Sequence, residues 1–169
     1  MMKRLLITLL AVCAMAVSGT SLKAQDPPPQ GGFKNALLTV NKSGKVALTY
    51  SRWSEQVKKG KYTLVSFWAS WCDECLEEFP VIQSVYQSYK AKGLVVLGVP
   101  YGDEIGDATE AIEAHKITYP HLVDVDDDLA GPFHFDGIPY IVLLGPDGEV
   151  LAANLRGDEI RLAVEKYLK

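Results

Sequence analysis

The sequence predicts one α/β domain, a mixed β-sheet with helices packed against it. Three observations carry this expectation. Short apolar runs at 63–69 (TLVSFWA), 94–99 (LVVLGV) and 140–144 (YIVLL) have the length and composition of strands buried on both faces. Helical patterns follow the first and second runs, as parallel crossovers require. A Gly145-Pro146-Asp147-Gly148 turn then joins two adjacent strands and adds antiparallel pairing, so the sheet is mixed.

The elements can be justified in chain order. Residues 1–4 (MMKR) are basic, 5–17 are uncharged and mostly apolar, and 18–24 are rich in small residues and end in Ala24. That is the pattern of a secretory signal peptide over 1–24. Its apolar run is shorter than the about 20 residues that a membrane helix needs. A lipoprotein reading of Leu10-Ala11-Val12-Cys13 is weaker, because Val12 is a poor small residue before the cysteine. A Pro/Gly-rich linker over 25–35 follows, and the folded domain is expected over 36–169. Strands at 37–40 and 46–50 flank the turn Asn41-Lys42-Ser43-Gly44. Ser54 is expected to cap a short helix that runs to Lys59 and stops at Gly60. The strand at 63–69 leads into a helix over 73–92, with Pro80 inside it and Gly93 after it. After the strand at 94–99, Asp107 opens a helix with Glu110 three residues on, and this runs to about Lys116. Strands at 140–144 and 149–153 form the hairpin, and Asp158 caps a last amphipathic helix ending near Leu168.

Charge and cysteine usage narrow the function. The chain has 17 Lys+Arg and 21 Asp+Glu. Cleavage after Ala24 removes Lys3, Arg4 and Lys23 and no acid, leaving a formal charge of −7. A nucleic-acid partner is not expected from a chain so acidic and without a basic stripe. The product reads as a small, soluble, exported protein. Cys13 leaves with the signal segment, so Cys72 and Cys75 remain, too few for a secreted disulfide scaffold.

Trp71-Cys72-Asp73-Glu74-Cys75 falls where the strand at 63–69 gives way to a helix. Two intervening residues let one helical turn bring the sulfurs within bonding range. The first cysteine then sits at the helix N-terminus, where free N–H groups and the dipole favour thiolate. Cys75, one turn in, is the more buried, resolving thiol. A zinc site would need two further ligands, and His115, His121 and His134 are not paired at ligand spacing, so no metal is expected. A structural disulfide closing so short a loop would gain little. Reversible redox chemistry is the better expectation, with the Cys72–Cys75 pair as its own redox group and no separate cofactor.

WASWCDECLEEFP after an apolar strand, with Gly137-Ile138-Pro139 downstream, resembles the thioredoxin superfamily, and more narrowly the exported TlpA/ResA-like thiol–disulfide oxidoreductases. The resemblance runs from about Ala36 to the C-terminus. It implies a thioredoxin-like fold with an N-terminal β-hairpin and an inserted strand–helix unit around 94–116. Pro139 is by this resemblance a cis-proline facing the disulfide, and the Ile138 backbone pairs with an extended substrate segment. The resemblance also implies an extracytoplasmic, periplasmic reductant, acting as a monomer on client thiols such as apocytochrome c and recharged by a membrane thiol reductase.

Glu78 falls on the apolar face formed by Cys75, Phe79, Ile82, Val85, Tyr86 and Tyr89, three residues beyond Cys75, whereas Glu77 points elsewhere. Partial burial there would raise its pKa and let it take the proton that Cys75 must lose. The resemblance points the same way, and Ser66 replaces the buried acid that ordinary thioredoxins carry. Trp71 is expected to form an apolar docking rim, and Asp73 and Glu74 to oppose the thiolate by charge. Phe133 and Phe135 read as packing residues, and Tyr101 follows a strand end, a position that leaves its approach to the site open. Asp124, Asp126 and Asp128 mimic the start of a calcium loop, but Leu129 stands where glycine is needed, so the run reads as a solvated loop. Two alternatives are weaker. A thiol peroxidase usually has Thr or Ser three residues before its attacking cysteine, and Ala69 stands there. A copper-handling protein usually has wider cysteine spacing and a histidine, for which His134 is the near candidate.

Overall fold

The computed structural model of the protein describes residues 34–57, 61–124 and 127–169; the expected signal segment and nearly all of the linker lie outside them. The strands are β1 (Asn35–Val40), β2 (Val46–Ser51), β3 (Thr63–Trp68), β4 (Val95–Pro100), β5 (His121–Leu122), β6 (Tyr140–Leu144) and β7 (Val150–Ala152). The helices are α1 (Trp53–Gln56), α2 (Asp73–Tyr89), α3 (Ile105–Ala114) and α4 (Asp158–Tyr167). The strands form one seven-stranded sheet in the order β2-β1-β5-β4-β3-β6-β7. The pairs β3/β4 and β4/β5 are parallel and the remaining pairs antiparallel, so the sheet is mixed as expected.

β3 is buried at all six positions, and its alternating side chains supply both layers of core. On one face Leu64 and Trp68 join Val96 and Ile141 under Phe79 and Ile82 of α2, Ile112 of α3 and Val164 of α4. On the other, Val65 and Phe67 join Leu97 and Val142 beneath Trp53 of α1 and Phe133 of a 3-10 turn (Gly131–Phe133). α2 buries Cys75, Phe79, Ile82, Val85 and Tyr89, the face that its sequence period marks, and continues through Pro80.

Several boundaries differ from expectation. Asn35, assigned to the linker, is the first residue of β1 and pairs with Ser51. α1 is capped at Arg52 rather than Ser54, because the Glu55 carboxylate accepts from the Arg52 N–H at 3.0 Å and the Ser51 hydroxyl at 2.8 Å. It ends at Gln56, and residues 58–60 lie outside the described ones. α3 begins at Ile105 with Glu104 before it; Asp107 lies inside the first turn, where its charge complements the dipole without capping. Gly157 caps α4, and Asp158 is its first helical residue.

β5 was not expected at all. Its two residues carry no periodicity of their own, and it is a strand only because β1 and β4 flank it: Leu38 pairs with His121 on one side and Gly98 on the other. His121 is completely buried, its Nδ1 accepts from the Trp68 indole N–H at 3.1 Å, and its ring stacks on Tyr119 at 4.9 Å. Gly98 is required beside it, since a Cβ there would overlap the imidazole. Burial pulls the His121 pKa down to about 3, so the ring is neutral in the folded protein at pH 7.

The unfolded chain, with an ordinary histidine pKa of about 6.5, therefore binds a proton that the folded chain refuses between the two values. The stability contributed by neutral His121 is full above about pH 6.5 and is lost as pH falls, at up to about 1.4 kcal/mol per unit. Urea unfolding at pH 4.5 and 7.5 should show a steeper acid loss in wild type than in His121→Asn; equal slopes would remove His121 from the acid response.

Candidate active site

Three loops meet at the end of the sheet where β3 and β4 finish and β6 begins. The register pairs Trp68 with Pro100 and Phe67 with Tyr140, so residues 69–72, 101–104 and 136–139 emerge side by side. The first loop is tied back by the Cys72 N–H, which donates to Ala69 O at 3.1 Å. The second is tied to the first by the Tyr101 N–H, which donates to Trp68 O at 2.9 Å.

Cys72 is the N-cap of α2, and its Sγ accepts from the Cys75 N–H at 3.2 Å. The two cysteines form a disulfide with an S–S distance of 2.08 Å and a Cα–Cα distance of 5.2 Å. Cys72 is 9% exposed and Cys75 1%, so the order of accessibility is as expected, although Cys72 is more covered than an open nucleophile. A sulfur in this position meets the unpaired N–H groups of the first turn, which favour the thiolate when the bond is reduced. Asp73 and Glu74 place two exposed carboxylates in the same turn.

Trp71 is 65% exposed, and its indole N–H donates to Gly102 O at 3.4 Å. Sequence reasoning missed Asp103, whose carboxylate accepts from the Ser70 N–H at 2.6 Å and the Ser70 hydroxyl at 2.8 Å. The two-point contact fixes the loop that presents Trp71 and Cys72. Its one sequence signal is an acid just past the C-terminal end of a parallel strand, where functional groups of α/β sheets gather.

The Ile138–Pro139 bond is cis. Ile138 is half-buried against both core layers, and Pro139 O accepts from the Arg156 guanidinium. Glu78 is half-buried, and both its carboxylate oxygens accept from the Gly157 N–H, at 2.9 and 3.2 Å. Gly157 has φ 49°, a backbone shape that a side chain would resist. Helical spacing thus does turn Glu78 inward, onto the N-terminus of α4, while Glu77 is exposed.

The acidic run is not wholly solvated. Asp124 is 1% exposed, and its carboxylate accepts from Leu129 N–H at 3.2 Å and Ala130 N–H at 2.8 Å. Burial raises its pKa against the opposing effect of those two bonds. Asp126 lies outside the described residues and Asp128 is exposed. Tyr101 stacks edge-on with Phe135 at 5.5 Å, and the charge of Asp127 is the first cause of its raised pKa. Phe133 is buried, Phe135 half-buried and His134 exposed. No three His, Cys, Asp or Glu side chains converge as a ligand set among the described residues.

Comparison with known proteins agrees with this geometry. ResA, a thiol-disulfide oxidoreductase of Bacillus subtilis (strain 168), is 26% identical over 93 residues, which are 55% of this chain and 52% of that protein. The chain thus spans about half the length of that curated relative. The thioredoxin domain of a thiol-disulfide oxidoreductase from Bacteroides vulgatus superposes with a TM-score of 0.69 at 30% identity, covering 88% of this chain and 100% of that one. A thiol:disulfide interchange protein from Bacteroides sp. superposes with a TM-score of 0.68 at 27% identity, covering 87% and 91%. The AhpC/TSA family profile matches residues 34–153. A cysteine pair capping the helix after a central strand, a cis-proline on the neighbouring loop and that match agree: the chain belongs to the AhpC/TSA family, with a thioredoxin-like fold.

Proposed function

We propose that the protein is a thiol–disulfide oxidoreductase that exchanges electrons with other proteins through Cys72 and Cys75. The observation that carries this is the disulfide whose outer sulfur caps α2 at the end of the sheet that also bears the cis-proline. In the reducing direction, the Cys72 thiolate attacks one sulfur of a client disulfide, and the other client sulfur leaves as a thiolate that takes up a proton. Cys75 then loses its proton and attacks the Cys72 sulfur. The mixed disulfide breaks, the second client sulfur leaves, and the Cys72–Cys75 bond re-forms. Two electrons and two protons pass from the dithiol to the client, and an external dithiol must restore the reduced pair.

Relatives named thiol-disulfide oxidoreductase and thiol:disulfide interchange protein support clients that bear thiols or disulfides. A signal-like N-terminus supports an exported, periplasmic setting, and no helix among the described residues is long and apolar enough to cross a membrane. In such a setting the protein acts as a monomeric reductant, with a membrane thiol reductase as donor and client disulfides, such as one formed between the thiols of apocytochrome c, as acceptors. Trp71 and the Ile138 backbone form the docking rim. Glu78, one turn along α2 from Cys75, carries the proton that Cys75 releases.

Cys72→Ser should abolish reduction of insulin while leaving the fold intact, and Cys75→Ser should accumulate mixed disulfides with clients. Equal rates for wild type and Cys72→Ser would overturn the assignment. Glu78→Gln should slow resolution of the mixed disulfide more than its formation, as read by stopped-flow; two unchanged steps would leave Glu78 a structural acceptor for Gly157. Replacing Asp73-Glu74 with Gly-Pro removes two negative charges from the first turn and places proline where helices tolerate it. Thiolate absorbance should then appear at lower pH, by about one unit at low salt, and glutathione equilibration should show a stronger oxidant. An unchanged or higher titration midpoint would remove the two acids as the source of reducing character.

A further inference from the structure

Arg156 takes no part in the thiol exchange, yet it touches the site from behind. It lies half-buried between β7 and α4. One guanidinium nitrogen donates to Leu155 O at 2.8 Å and the other to Pro139 O. Its main chain is locked to the first turn of α4: the Arg156 N–H donates to the Glu159 carboxylate at 3.2 Å, and the Glu159 N–H donates to Arg156 O at 3.0 Å. The next residue, Gly157, gives its N–H to Glu78 on the cysteine-bearing helix. Two adjacent residues thus reach both halves of the site, the cis-proline loop and α2.

We propose that Arg156 is a positioning residue that sets the docking edge of the cis-proline loop for extended protein clients, an inference that rests on the oxidoreductase function proposed above. Pro139 is buried, so without the guanidinium its carbonyl would be left unpaired away from water. The peptide groups of Ile138, which would pair with a client strand, are next along the chain from that carbonyl. Losing the bond frees the loop to rotate and blurs the edge the client must match. The forked guanidinium satisfies two carbonyls at once, which a lysine ammonium on a flexible stem cannot reproduce in the same geometry. A small thiol reaching Cys72 needs no such edge.

The test compares full-length wild type, Arg156→Gln and Arg156→Lys in two reactions: reduction of insulin, and reduction of the Cys72–Cys75 disulfide by dithiothreitol. Arg156→Gln should lose about ten-fold in kcat/KM with insulin, chiefly through KM, while its rate with dithiothreitol stays at the wild-type value. Arg156→Lys should fall between, and it shows the same split if Arg156→Gln fails to fold. Unchanged insulin kinetics in both variants, or equal losses in the two reactions, would overturn the positioning role. A wild type that takes electrons from dithiothreitol but reduces no insulin would instead overturn the function on which it rests.

Discussion

The active end of this molecule depends on the burial of β3 on both faces and its pairing on both edges. A strand enclosed in this way cannot leave its carbonyls and N–H groups unpaired at its end, so the chain that follows it must find partners at once. It does so in a few residues: Trp68 O takes the Tyr101 N–H, Ala69 O takes the Cys72 N–H, and Ser70 is held at two points by Asp103. The chain then turns directly into α2 with Cys72 as its cap. The thiol chemistry proposed for Cys72 follows from that abrupt turn, because it leaves the first free N–H groups of the helix facing a sulfur.

The same junction sets two electrostatic effects against each other. The N-terminus of α2 and the Cys75 N–H favour negative charge on Cys72, and Asp73 and Glu74 disfavour it from the same turn. Both carboxylates are exposed, so salt weakens their effect more than it weakens a short N–H contact to a buried sulfur. The balance between a local dipole and two screened charges is therefore the tuning proposed here for the couple, one that leaves the fold unaltered. Glu78 differs in kind: it is half-buried and engaged by Gly157, which joins the cysteine-bearing helix to α4.

That link gives the site its mechanical logic. The cis-proline loop and α2 approach from different strands, and the β7–α4 junction contacts both through Arg156 and Gly157. The left-handed backbone at Gly157 aims its N–H at Glu78, and the Arg156–Glu159 reciprocity holds the junction against the first turn of α4. On the far side of β4, the buried His121–Trp68 hydrogen bond ties the short β5 to β3. The site is thus held from both flanks of its central strand.

By itself the sequence determined the features that local chemistry encodes. Apolar runs marked β3, β4 and β6; helical spacing marked the buried face of α2 and turned Glu78 inward; Gly-Pro-Asp-Gly marked the last hairpin; and the two-residue spacing put Cys72 and Cys75 within reach of one bond. Helix starts were legible only to within a turn, because Arg52, Glu104 and Gly157 begin helices with no distinctive capping side chain. The tertiary structure alone decided the rest. β5 exists because β1 and β4 leave a place for two residues between them, and Asp124 is buried because residues 129 and 130 fold back onto its carboxylate. Ser70 meets Asp103 across 33 residues, and Glu78 meets Gly157 across 79. No local pattern records such pairs, since strand order and helix packing bring them together, and those are settled only when the whole sheet closes on its core.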